Sequence, residues 1–70
     1  MTMIRVRVET VRTFMASQGW GERELAEAIG VDHSHVNRVL NAKRQPGPKF
    51  IAGMVRLGLR FEEVFEYEHR

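Results

Sequence analysis

One stretch of this chain gathers the groups that hold anions. Residues 33–61 contain Arg38, Lys43, Arg44, Lys49, Arg56 and Arg60 and neither an Asp nor a Glu. Residues 1–32 carry five acids to four bases, and residues 62–70 four acids to one base, so the overall net charge of +2 conceals the segregation. An acid-free cationic stretch suits a polyanion, because each phosphate that a cation neutralises releases counterions. Charge alone fits a solvated face equally well, and position on the fold must decide between the two. The same stretch opens with His33, Ser34, Asn37, Arg38 and Asn41, all side chains that donate or accept hydrogen bonds.

Other chemistry is poorly supplied. The chain has no cysteine, which excludes a disulfide framework and a thiolate metal site. His33 and His35, two residues apart, point to nearly opposite sides of a helix, and no carboxylate cluster accompanies them, so neither a metal nor another cofactor is expected. There is no nucleophile paired with a base, no carboxylate pair and no phosphate loop, and a domain with one small core has no room for a substrate pocket. The expectation is that the protein is not an enzyme.

Seventy residues, 43% of them hydrophobic, with eight Gly and Pro in total, make one folded domain over 1–70. At this length about 60% of the unfolded chain's surface can be buried. Apolar runs of two or three residues exclude a membrane span and a signal-peptide core, and the expected location is the cytoplasm.

Hydrophobic spacing divides the chain into short elements. Val8, Val11, Phe14 and Met15 recur at helical intervals, and Gly19 supplies a stop. Before them, Met3–Val8 alternates apolar with basic residues and reads as a short strand, although a helix is also open there. A partner is available in Phe65-Glu66-Tyr67-Glu68, whose acids would face Arg5 and Arg7 across a ribbon; the alternative is a frayed end. Glu22–Ile29 carries Leu25, Ala26 and Ile29 on one stripe, with acids in the first turn where the helix dipole favours them. Gly30 makes a turn, Asp32 is the expected N-cap, and the next helix, 32–42, buries Val36, Val39 and Leu40. Residues 42–48 hold two prolines and a glycine and must form a basic loop. Pro48 begins a fourth helix that runs to Gly58, and Phe61–Phe65 forms a fifth that closes the core. Met1, Met3, Met15 and Met54 are spaced as core filling, and Trp20 is expected to pack over the turn. The fold class is all-α, a five-helix orthogonal bundle with a short N-terminal strand as an option.

A short helix centred on Leu-Ala, a glycine turn and a second helix with two buried valines is the spacing of a helix-turn-helix, here 22–41. Ala26 must be small where the second helix crosses it, and the outer face of that helix is left free to enter a major groove. In these residues, together with Ala42-Lys43-Arg44-Gln45-Pro46 and Leu57-Gly58-Leu59-Arg60-Phe61-Glu62-Glu63-Val64-Phe65, the sequence resembles the lambda-repressor-like helix-turn-helix family, the Xre/Cro group of bacterial and phage regulators.

The resemblance implies sequence-specific binding of double-stranded DNA by a small transcriptional regulator, a repressor acting as a homodimer and associated with the nucleoid. The family's base-reading positions fall on His33, Ser34, Asn37 and Arg38, and its phosphate contacts on Asn41, Lys43 and Arg44. Arg38 is competent to bond guanine O6 and N7, and Asn37 adenine N6 and N7. Three positions depart from the family. Gly21-Glu22 stands where Gln or Thr-Gln often contacts phosphate, and a carboxylate there opposes phosphate. Met15 and Leu40 replace a frequent buried Arg–Glu pair, an exchange that is often neutral or stabilising. Ala42 replaces a glycine, at some conformational cost. Two other partners are compatible with the same fold: a toxin, if the chain is the antitoxin of a toxin–antitoxin pair, or an acidic protein, if it is an interaction adaptor.

Overall fold

The computed structural model describes residues 2–69, so Met1 and Arg70, with the core role expected of Met1, lie outside the described residues. The chain order is β1 (Thr2–Val6), α1 (Val8–Gln18), α2 (Glu22–Ile29), α3 (His33–Leu40), α4 (Pro48–Arg56), α5 (Phe61–Val64) and β2 (Phe65–His69). The fold is mostly helical, and the expected all-α class needs one correction: β1 and β2 form an antiparallel two-stranded sheet. The alternation expected over Met3–Val8 marks a strand only as far as Val6, since Val8 already begins α1, and the tail is paired rather than frayed. Arg5 and Arg7 meet the acids of β2 diagonally, Arg5 to Glu68 at 3.2 Å and Arg7 to Glu66 at 3.5 Å. The Arg7 N–H donates to the Val64 carbonyl at 2.7 Å, closing the ribbon onto α5.

The core draws on the apolar stripes of α1, α2 and α3 and on the last three elements, while Met3, expected as core filling, is not part of it. Val11, Met15, Leu25, Ala26, Ile29, Val36, Val39, Leu40, Phe50, Met54, Val64 and Phe65 are buried in one cluster. Met15 and Leu40 are both in it, which accounts for the absence of the buried ion pair at those positions. Trp20 is half-buried and meets Phe14 edge to face, 5.7 Å between ring centroids.

Helix ends show what positions α2 and α3. Gly30, at φ 74°, ends α2 in the left-handed region, and the N–H groups of Gly30 and Val31 return to the Ala26 carbonyl. Asp32 is the N-cap residue of α3 with an extended backbone, but its side chain makes no capping hydrogen bond. At the other end Ala42 takes φ 58°, the one non-glycine residue with positive φ among the described residues. Its N–H donates to the Val39 carbonyl and that of Lys43 to the Arg38 carbonyl, the double closure usually built on glycine. The expected 32–42 helix is thus shortened to His33–Leu40, because a left-handed residue cannot continue it. Similarly α4 ends at Arg56 rather than Gly58, and α5 at Val64, since Phe65 is already extended (φ −125°, ψ 154°) and begins β2.

Spacing did not reveal that α2 and α4 nearly touch. A Cβ on Gly53 would lie 2.3 Å from Ile29 Cβ and 3.0 Å from Ile29 Cα, so only glycine allows this approach. Arg56 adds to the same junction, donating to the Ile29 carbonyl at 3.5 Å.

Candidate nucleic-acid interface

The inward stripes of α2 and α3 fix which way α3 faces. With Val36, Val39 and Leu40 buried, His33, Ser34, Asn37 and Arg38 are left exposed on the other side, followed by exposed Asn41, Lys43 and Arg44. All seven residues therefore fall on α3 or on the turn and loop that leave it.

The cations divide according to their neighbours. Arg38 and Arg44 border an open depression together with Ser34, His35 and Lys49, the last from the first turn of α4. Arg44 also borders a second depression, with Lys43 and Arg5 of β1. Among the described residues no carboxylate lies within ion-pair distance of Arg38, Lys43, Arg44 or Lys49. Arg56 belongs elsewhere, turned to the α2 carbonyl end, and so not every charge of the acid-free stretch faces the same way. Asn41 is partly committed: its Nδ2 donates to the Asn37 carbonyl at 2.8 Å and caps α3.

His35 is half-buried and tilted against the Phe50 ring, with centroids 6.0 Å apart. Burial holds its pKa below the ordinary histidine value, Arg44 and more weakly Arg38 push it the same way, and Asp32 opposes them.

One carboxylate stands beside this face. Glu22, at the start of α2, accepts a hydrogen bond on Oε1 from Asn37 Nδ2 at 3.0 Å. The same oxygen is 3.6 Å from His33 Nε2, and Oε2 is 3.6 Å from an Arg12 guanidinium nitrogen on α1. Glu22 is thus turned towards its own protein's side chains, with a cation against it. The sequence marked it only as a carboxylate opposed to phosphate, and Arg12 was not singled out. Residues 12, 22 and 37 lie on three helices, and no local spacing signals their meeting.

A family model described as helix-turn-helix matches residues 11–57, about two thirds of the chain. The chain belongs to the lambda-repressor-like helix-turn-helix family. As a member of that family it is a DNA-binding regulator. In this helix-turn-helix protein the matched span begins within α1 and ends just after α4, so the ribbon and α5 lie outside it. No curated protein and no solved structure matches the chain. Among the described residues no helix is long and apolar enough to cross a membrane.

Proposed function

We propose that this helix-turn-helix protein is a small transcriptional repressor that binds a specific double-stranded DNA sequence, in the cytoplasm, as a homodimer. The observation that carries the reading is the exposed α3 face, His33, Ser34, Asn37 and Arg38, bordered by Lys43, Arg44 and Lys49, which have no carboxylate partner among the described residues. Set into a major groove, the first group meets base edges and the second meets phosphates, which position the protein without specifying sequence. Arg38 suits guanine, and each bidentate contact is worth about 1–3 kcal/mol of discrimination. Asn41 has one amide hydrogen left after capping α3 and fits a phosphate oxygen.

One such module reads few base pairs, and for this reason two copies on half-sites about 34 Å apart are proposed. Val55 of α4, 49% exposed, and Tyr67 of β2, 62% exposed, are the large apolar side chains open to a second copy. One edge of the Met3–Val8 arm is already taken by β2 of the same chain, leaving its outer edge for pairing across chains. The protein works by binding, without catalysis or a cofactor. The α3 face lacks the aromatic or aliphatic anchors that would mark it as a protein-docking surface.

Selection of bound duplexes from a random library at moderate salt tests this directly. An enriched inverted repeat with half-sites about 10 base pairs apart is expected. Salt-sensitive binding with no enrichment would overturn the reading in favour of an antitoxin or an adaptor.

A further inference from the structure

The Glu22 carboxylate has a chemical consequence for Asn37. An asparagine amide can present either its oxygen or its nitrogen to a partner, and the two ends differ only in what they bond. A carboxylate only accepts, so the 3.0 Å contact with Glu22 Oε1 requires Nδ2 to be the atom that faces it. One Nδ2 hydrogen is thereby taken, while Oδ1 and the second hydrogen remain. Arg12 at 3.6 Å from Oε2 supplies the opposite charge that holds the carboxylate on the protein's side of the interface.

We propose that Glu22 is the positioning residue that makes Asn37 read adenine and refuse guanine. The inference rests on the DNA-binding function proposed above. With one Nδ2 hydrogen held by Glu22, Asn37 keeps one acceptor, Oδ1, and one donor, the second Nδ2 hydrogen. Adenine offers the complement in the major groove, the N6 amino group as donor and N7 as acceptor. Guanine offers two acceptors, O6 and N7, and Oδ1 would oppose one of them. An amide released from Glu22 is free to turn, present Nδ2 outwards and donate to guanine. The carboxylate at the start of α2 is on this account a selector for the base read from α3.

The test is selection from a random duplex library with four proteins: wild type, Glu22→Ala, Glu22→Gln and Asn37→Ala, each shown by thermal melting to be folded. Wild type is expected to enrich adenine at one position per half-site, and Asn37→Ala to lose that preference. Glu22→Ala is expected to lower the adenine-to-guanine ratio at that position about tenfold and to leave the guanine read by Arg38 alone. Glu22→Gln, whose amide can offer Asn37 either Oε1 or Nε2 and so no longer dictates which end faces outwards, is expected to lower the ratio as well. Three results would each overturn the proposal: an unchanged ratio in Glu22→Ala, a loss spread evenly over all positions as in a folding defect, or a Glu22→Gln variant that keeps the full wild-type ratio. If wild type enriches no sequence, the proposal of sequence-specific binding fails and takes this one with it; enrichment by wild type with any of the three results removes only the role of Glu22.

Discussion

Arg38 and Lys43 are both exposed cations with no carboxylate beside them among the described residues, yet one lies on α3 and the other on the loop beyond. Arg38→Ala should relax selectivity at one base position, a loss of about 1–3 kcal/mol there, whereas Lys43→Ala should weaken all sequences alike and reduce the salt slope by about one for each bound chain. Binding titrations on an operator and an unrelated duplex over a range of salt distinguish the two. Gly53 makes the opposite point, since its requirement is set by Ile29, twenty-four residues away. Gly53→Ala improves helix propensity but places a methyl against Ile29 Cβ and Cα, and should destabilise the protein by about 2–3 kcal/mol in denaturant unfolding. That His33, Ser34, Asn37 and Arg38 lie exposed was legible because it follows from one helix's inward stripe; the contacts of Glu22, Arg12 and Gly53 were not, because each depends on contact between helices.

Elements were legible where their ends carry a signal. The range 22–29 was read without error because acids open it and Gly30 closes it, whereas 32–42 was read two residues too far because alanine does not announce a stop. Ala42 in the left-handed region costs about 1–2 kcal/mol, part of which glycine would give back as chain entropy. Ala42→Gly should therefore raise stability by about 1 kcal/mol, visible as a higher melting temperature with no change in the α3 contacts. His35 ties α3 to the first turn of α4 through Phe50, and its depressed pKa makes that join sensitive to pH. A histidine whose pKa is lower folded than unfolded binds protons more readily in the unfolded chain, so protonation favours unfolding. Stability contributed by neutral His35 is present above the ordinary histidine pKa and is lost as pH falls through it towards the depressed value. Melting curves between about pH 8 and pH 5 should show a decline that is shallower in His35→Gln, and equal slopes in the two proteins would remove His35 as the cause.

For the molecule as a whole, the arrangement of charge predicts how binding responds to salt and how many copies bind. The ribbon's ion pairs, Arg5–Glu68 and Arg7–Glu66, are internal and partly exposed, and they neutralise the strand that borders the Lys43 loop. The cations left for phosphate are Lys43, Arg44 and Lys49 on each chain, with Arg38 directed to a base. If two chains engage one operator, about six phosphates are neutralised, and the logarithm of affinity should fall with the logarithm of salt at a slope of about −5; one chain gives about −3. The slope thus counts chains through charges whose positions are known, independently of any dimer surface. Lys49→Ala, remote from base edges in this docking, should shift the slope by about two if the complex holds two chains and by about one if it holds one. A slope of about −5 that changes by only one unit would mean that α4 meets DNA in one half-site alone, and the twofold arrangement would have to be abandoned for an asymmetric one.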